Sequence, residues 1–192
     1  MNRTLFIVGC AALALAACQK KADTVAGDTA SSDAIAPASD TAVAAAPAAP
    51  SAADFVTKAA ASDMYEVQAA KIAEKRSKNA EVISFAKMMV TDHTKSTELV
   101  KKAIADSGRT DLAPPTDLPA DKKSLIDALN GASTGDFDKT YLDQQTMAHQ
   151  DALMLMTAES QAGDVPQLKD AAGQILPVVQ MHVDMLSKMA AK

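Results

Sequence analysis

The sequence contains no tryptophan, few aromatic residues of any kind, and fewer basic than acidic residues. Lys and Arg number 19 against 24 Asp and Glu, which gives a formal net charge of -5. A chain with this balance offers no basic surface for the phosphate backbone of DNA or RNA. Nucleic acid is therefore excluded as a partner.

Cysteine is also scarce, and both cysteines fall within the first 18 residues, which have the organisation of an export signal. Arg3 supplies a positive charge, residues 5–15 form an apolar run, and Leu15-Ala16-Ala17-Cys18 resembles the lipobox of bacterial lipoproteins. The run is shorter than the ~20 residues of a membrane-spanning helix. We predict a signal peptide over residues 1–17 and a lipidated mature N-terminus at Cys18, which leaves the mature chain no thiol for a disulfide.

The residue after the cysteine bears on location. It is Gln19 rather than Asp, which by resemblance to enterobacterial sorting rules favours the outer membrane. We expect the protein on the periplasmic side of the cell envelope, with the membrane as its partner through the lipid on Cys18. Two alternatives remain open, namely an ordinary cleaved signal with an accidental cysteine and an N-terminal transmembrane anchor. No protein partner is predicted.

Residues 18–51 are dominated by Ala, Pro, Ser, Thr and Asp and contain few large apolar side chains. Such a segment cannot bury enough surface to offset the entropy lost on ordering. The composition predicts a disordered tether that holds the following domain about 30 Å from the membrane. A helical alternative around Val43 is interrupted by Pro37, Pro47 and Pro50.

Residues 52–192 contain few glycines and almost no strand-like alternation, and their large residues recur at helical spacing. The pattern predicts an all-α domain, an antiparallel four-helix bundle. Four long helices and a short one are expected, in chain order at residues 52–77, 80–106, 121–129, 136–162 and from 164 to the C-terminus. Ser51 and Asn79 are the expected N-caps of the first two helices. Basic residues such as Lys71, Lys75 and Arg76 indicate a solvated face.

The chain has three histidines, and each lies in the apolar stripe of a different long helix. These are His93, His149 and His182, while the first helix carries Glu66 on its apolar face. At 1.5 Å per residue, these side chains lie about 16–26 Å from the adjoining helix ends. Helices that alternate in direction would bring all four side chains to one layer in the middle of the bundle.

Two interpretations of this layer stand side by side. Three neutral imidazoles, with Glu66 as a ligand or as a group that orients a ligand, suit a single zinc, iron or copper ion. Alternatively, the histidines form a hydrogen-bonded polar layer inside the core, with Glu66, Gln145 and Tyr141 as partners.

The sequence also resembles a bacterial envelope family, the domain-of-unknown-function family DUF4142, whose members are often labelled outer-membrane or periplasmic lipoproteins. The similarity covers about residues 54–186 and is carried by motifs distributed over the helices: Phe55-Val56, Glu66, Val82, Phe85-Ala86, the run 89–93, Phe137-Asp138, Tyr141, His149, Leu176-Pro177 and His182. The resemblance implies a ferritin-like helical bundle and supplies no activity. Di-iron ferritin-like enzymes carry Glu-x-x-His motifs, but Val90, Thr146 and Val179 occupy the corresponding positions here.

The function expected from these observations is that of a membrane-anchored envelope lipoprotein. It would be non-enzymatic and would bind a metal ion or a similar small ligand in its helical bundle, in connection with envelope stress. An alternative of another class is a structural or interaction module of the envelope whose histidines only knit the core together. A metal-dependent redox enzyme is the third and weaker interpretation, since the Glu-x-x-His pattern is missing.

Overall fold

A computed structural model of the protein describes residues 49–191, and within that range every regular element is a helix. The helices, in chain order, are α1 (Ala52–Arg76), α2 (Ala80–Ser107), α3 (Ala120–Gly131), α4 (Phe137–Ala162) and α5 (Pro166–Ala190). The all-α prediction is confirmed for this range, with helix ends within two residues of the expected ones. The predicted signal peptide over residues 1–17, lipidated Cys18 and the tether as far as residue 48 lie outside the described residues.

None of these five helices combines the length and the apolar character that a bilayer-spanning segment requires.

Local sequence explains where the first two helices begin and end. The Ser51 side chain accepts a hydrogen bond of 3.1 Å from the backbone N–H of Asp54, and the Asn79 side chain accepts one of 2.9 Å from that of Glu81. Both satisfy N–H groups that lack a partner within the helix. Gly108 ends α2 at a φ of 67°, a left-handed conformation that glycine adopts without a steric penalty.

The four long helices pack in a ring, in which α1 contacts α2 and α4, and α5 contacts the same two helices from the other side. The short α3 packs against α1 and α4. Arg76, at the end of α1, donates hydrogen bonds to the backbone carbonyls of Leu129, Asn130 and Ala132 and stacks over the ring of Phe137. It therefore ties the end of α3 and the start of α4 to α1, which corrects the expectation of a merely solvated residue.

The core consists of two apolar clusters separated by polar residues. One cluster includes Phe55, Val56, Val100, Leu168 and Ile175, and the other includes Tyr65, Phe85, Phe137, Tyr141 and Leu186. On each long helix a buried polar residue lies between the residues of these clusters: Asp63 on α1, His93 on α2, His149 on α4 and His182 on α5. The fold thus positions one polar layer in the middle of an otherwise apolar core.

Gly173 lies in the interior of α5, and a Cβ added there would meet no atom within 4 Å. We expect Gly173→Ala to raise the free energy of unfolding by about 0.5–1 kcal/mol, because alanine loses less backbone entropy on forming a helix. Urea unfolding followed by far-UV circular dichroism measures this. The control is Gly163→Ala, whose Cβ would lie 2.7 Å from the Glu159 carbonyl oxygen and should destabilise the fold. A loss of stability in Gly173→Ala would contradict the prediction.

Glu159, near the end of α4, is an unusual charged residue because it is fully buried. Neither carboxylate oxygen has a hydrogen-bond partner among residues 49–191. Burial, followed by the charge of Asp164, raises the pKa of this carboxyl to about 6 against the lowering effect of Lys169. Relative to the unfolded chain, the folded state therefore favours the protonated acid.

This raised pKa predicts a pH-dependent stability. The value lies above the ordinary 4.5, so the stabilising contribution is fully present below about pH 4.5 and is lost as the pH rises through about 6. Glutamine stays neutral at every pH. The free energy of unfolding of Glu159→Gln should therefore rise relative to that of the wild type by about 1–2 kcal/mol as the pH increases from about 4.5 to 8. Urea unfolding at both pH values measures the gain. The exposed Glu98→Gln should show no such gain, and an equal pH dependence in Glu159→Gln and wild type would refute the prediction.

Candidate metal centre

The structure brings the three predicted histidines together from three helices. His93 of α2, His149 of α4 and His182 of α5 are all buried. Their ring centroids lie 5.2–5.8 Å apart, and one nitrogen from each ring lies within 4.8 Å of the other two. Side chains separated by tens of residues in the sequence therefore face one another at a single point in the core.

The ring of His93 is held by a carboxylate on α1. Its Nδ1 lies 2.8 Å from Oδ1 of Asp63, and both groups are buried. The hydroxyl of Thr97 lies 3.2 Å from the second oxygen of the same carboxylate. Because a carboxylate only accepts hydrogen bonds, Nδ1 of His93 carries a proton, and in the neutral ring Nε2 keeps its lone pair.

The other two rings are held in the same way from outside the cluster. Nδ1 of His149 lies 2.9 Å from the backbone carbonyl of Gln145, one turn earlier in α4. Nε2 of His182 lies 3.2 Å from Oδ2 of Asp92 on α2. Both acceptors again place the proton on the outward nitrogen. Nε2 of His149 and Nδ1 of His182 therefore point inward with lone pairs.

The inward nitrogens lack partners that would satisfy them. Nε2 of His149 and Nδ1 of His182 face each other at 3.2 Å, and Nε2 of His93 has no hydrogen-bond partner in the part of the chain that the structure describes. Two lone pairs at this distance repel unless a positive charge lies between them. With both rings neutral in these tautomers the pair is unsatisfied, and a cation between the two nitrogens or a proton on one of them would satisfy it.

Burial affects the protonation of these rings differently. Burial lowers the pKa of His149 to about 3, with the charges of His93 and His182 acting in the same direction. Burial also lowers the pKa of His182, although its hydrogen bond to Asp92 opposes the shift. For His93, burial lowers the pKa, but the hydrogen bond to Asp63 and the nearby acidic charges outweigh it and leave a net rise. The facing pair therefore disfavours an added proton.

Glu66, the fourth residue of the predicted site, lies beside the histidines. Its Oε2 accepts a hydrogen bond of 2.5 Å from the side-chain amide of Gln145, and its Oε1 lies 4.0 Å from Nδ1 of His149. Burial raises the pKa of Glu66 to about 6, against the lowering effects of His93 and Gln145. The structure places Glu66 behind His149, next to its outward nitrogen, and not among the three converging nitrogens.

Only some of the hydrogen bonds expected for a polar layer of histidines are present in the structure. Glu66 and Gln145 bond to each other, but His149 bonds to the backbone of Gln145 instead of its side chain. The hydroxyl of Tyr141 has no hydrogen-bond partner among the residues that the structure covers. The groups that hold the histidines are therefore largely different from those expected.

Asp63 and Asp92 hold rings of the cluster, and sequence reasoning did not assign either of them to the site. Asp63 precedes Glu66 by three residues, a spacing that puts both on one helix face and could have identified it. Asp92 adjoins His93, but neighbouring helix residues do not share a face. Its carboxylate instead reaches His182 on α5, a contact for which the local sequence contains no signal.

Comparisons with known proteins identify the family of this chain and a solved structure with a similar fold. A family model described as Domain of unknown function (DUF4142) matches residues 37–189, which confirms the family indicated by the sequence motifs. The structure is similar to the crystal structure of a DUF305 fragment from Deinococcus radiodurans, with a TM-score of 0.62 and 15% identity over 74% of this chain and 97% of that chain. At that identity the likeness shows the fold alone. No curated protein matches the sequence significantly.

Proposed function

We propose, from the premise that this chain belongs to the domain-of-unknown-function family DUF4142, that its helical domain binds one transition-metal ion through His93, His149 and His182. The observation that carries the proposal is the convergence of three imidazole nitrogens whose opposite ring nitrogens are all held by protein acceptors. Neutral imidazole, bonded from behind by a carboxylate or a carbonyl, is the form in which histidine coordinates metals.

The distances suit an ion after a small adjustment. A tetrahedral ion about 2.1 Å from each nitrogen requires nitrogens that lie roughly 3.4 Å apart. The inward nitrogens of His149 and His182 are 3.2 Å apart, and the ligand nitrogen of His93 lies within 4.8 Å of them. A movement of the His93 ring by no more than about 1.4 Å therefore completes the ligand set.

The charges of the surrounding residues also favour a divalent cation. Asp63 and Asp92 place two carboxylates directly behind His93 and His182. A buried dication needs compensating negative charge nearby, because the apolar core provides no solvation. Neutral nitrogen ligands suit zinc, iron or copper. Glu66 adds a carboxyl group near the site, with its Oε1 4.0 Å from the outward nitrogen of His149, while that nitrogen donates its hydrogen bond to the Gln145 carbonyl.

The finer fold assignment, an antiparallel four-helix bundle of ferritin-like type, belongs to the same proposal. One core cluster contains the N-terminal halves of α1 and α5 and the C-terminal halves of α2 and α4. The other contains the C-terminal halves of α1 and α5 and the N-terminal halves of α2 and α4. This pattern supports neighbouring helices that run in opposite directions. The proposed role is binding and not catalysis, because the Glu-x-x-His motifs of di-iron enzymes are replaced at Val90, Thr146 and Val179.

Location completes the proposal. The lipobox-like residues 15–18 support a lipid anchor at Cys18, and Gln19 supports the outer membrane as its site. The low-complexity residues 18–51 would tether the helical domain on the periplasmic side. A metal-binding domain held at this surface suits a role during envelope stress.

A structural or interaction module of the envelope is the second candidate. Each outward nitrogen is satisfied by a protein acceptor, so the histidines link α1 to α2 and α2 to α5 even without an ion, while the bond of His149 stays within α4. A proton on one ring would then replace the metal between His149 and His182.

Metal uptake by the tag-free protein separates the two candidates. The protein is treated with chelator, incubated separately with Zn²⁺, Co²⁺ or Cu²⁺, gel-filtered and submitted to elemental analysis. We expect one equivalent of at least one metal per chain, together with a stabilisation of about 4 kcal/mol at 1,000 times the dissociation constant. Substoichiometric uptake of all three metals, with no thermal shift, would favour the structural module.

A further inference from the structure

A crevice between α2 and α5 leads to the histidine cluster. It has a volume of about 150 Å³. Its wall includes two of the three histidines, His93 and His182, and the carboxylate-bearing Asp92. The remainder of the lining is mainly apolar, with Leu99, Ile175, Val178 and Val179. The third histidine, His149, is absent from this lining, so the crevice reaches the cluster from one side only.

Two residues that line this crevice each carry a buried polar atom that has no hydrogen-bond partner within residues 49–191. One is Nε2 of His93, and the other is the hydroxyl of Ser96, a residue only 6% exposed. Ser96 follows His93 by three residues, so both side chains lie on the same face of α2. Buried polar groups are nearly always hydrogen-bonded to protein or to a small bound molecule. An unsatisfied hydroxyl beside a ligand nitrogen therefore indicates a place for such a molecule.

We propose that a small exogenous ligand reaches the metal through this crevice and occupies a coordination position that the three histidines leave open. The inference rests on the metal site proposed above. Three histidines provide three of the four positions of a tetrahedral ion, and the fourth in such sites is taken by water or an added ligand. The hydroxyl of Ser96 donates a hydrogen bond to that ligand.

Volume and charge define the ligand class. One water takes up about 30 Å³ of liquid volume and drug-sized pockets span about 300–1,000 Å³, so a crevice of 150 Å³ suits a ligand of at most about five heavy atoms. The carboxylates of Asp63 and Asp92 lie behind the rings and do not coordinate the ion, whose three ligands are neutral, so the open position can still take an anion. Lys95 also lines the crevice, and its Nζ lies 3.6 Å from Oδ1 of Asp92, so its positive charge offsets the negative charge of that carboxylate. The ligand class is therefore hydroxide or another small monovalent anion.

Azide binding to the Co²⁺-loaded protein tests the inference, because a new ligand changes the visible absorption of Co²⁺. We expect a saturable spectral change in the wild type. Val178→Phe should fill the crevice and weaken azide binding about tenfold or more, while Co²⁺ uptake stays at one equivalent. Ser96→Ala should weaken it about fivefold through the lost hydrogen bond. Gln180→Phe, at an exposed position of α5 outside the crevice, should bind azide like the wild type.

The outcomes distinguish the two proposals. Failure to take up any of Zn²⁺, Co²⁺ and Cu²⁺ would reject the metal site itself, before azide is added. Stoichiometric Co²⁺ with no azide-dependent spectrum would reject the open position and leave the metal site standing. Unchanged azide affinity in both Val178→Phe and Ser96→Ala would overturn the assigned route through the crevice. Reduced affinity in Ser96→Ala alone supports the inference if Val178→Phe fails to fold.

Discussion

Replacement of both His93 and His182 by glutamine is expected to abolish stoichiometric metal uptake. The double substitution removes the ligand nitrogens of α2 and α5 and leaves a single imidazole, His149, at the site. Loss of a group that merely holds a ligand from behind costs about 10–100-fold in affinity, and loss of two ligands should exceed that range. Glutamine stays neutral and can still donate to Asp63 and Asp92, which limits the effect on folding.

Elemental analysis after gel filtration measures the uptake, and circular dichroism verifies that the variant is folded. The matched control is Tyr65→Phe, which removes a buried hydrogen bond of 2.9 Å to Gln144 but no histidine contact. That control should retain one equivalent of metal. Undiminished metal uptake by the double variant would contradict the proposed metal centre, whatever the control shows.

Among the substitutions considered, Phe85→Ala is expected to cause the largest loss of stability, a decrease of about 3–5 kcal/mol in the free energy of unfolding. Phe85 is 1% exposed, and its ring centroid lies 6.2 Å from that of His182, 6.3 Å from that of His149 and 6.4 Å from that of Tyr141. Truncation removes this apolar contact and leaves a cavity next to the polar layer. A loss of this size is a large part of the roughly 5–15 kcal/mol that stabilises a typical domain.

Urea unfolding of the metal-free protein measures this loss without a contribution from bound ions. Phe85→Leu should lose markedly less, because leucine refills part of the volume. Met154→Ala, at a side chain 64% exposed, should change stability by no more than about 0.5 kcal/mol. A Phe85→Ala variant as stable as Met154→Ala would show that this packing contributes little.

The site could be predicted in part because its ligands lie at core positions of regular helices. The helical repeat places His93 and His182 among buried apolar residues, and the rise per residue gives the depth of each histidine. Both quantities depend on the chain's own geometry and tolerate errors of a residue or two at the helix ends. The same reasoning placed Glu66 in the layer, but it could not tell whether this carboxylate would lie among the ring nitrogens or behind one of them.

The partners of the histidines could not be predicted, because they depend on how the helices are rotated against one another. Asp63 meets His93 across the interface of α1 and α2, and Asp92 meets His182 across that of α2 and α5. Rotation of either helix by a fraction of a turn would direct these carboxylates into solvent. Arg76 is a similar case, since it caps carbonyls on a segment more than fifty residues later.

The sequence by itself determined the helices, the N-caps of the first two and the depth at which the histidines lie, since these follow from hydrogen bonding and periodicity within one segment. Only the tertiary structure decided which ring nitrogen faces inward, which acidic side chain holds each ring, and that a crevice between α2 and α5 reaches the cluster. The physical reason is that these features arise where side chains of different helices meet. Such contacts are set by the packing of the whole core and not by the spacing of residues along any one helix.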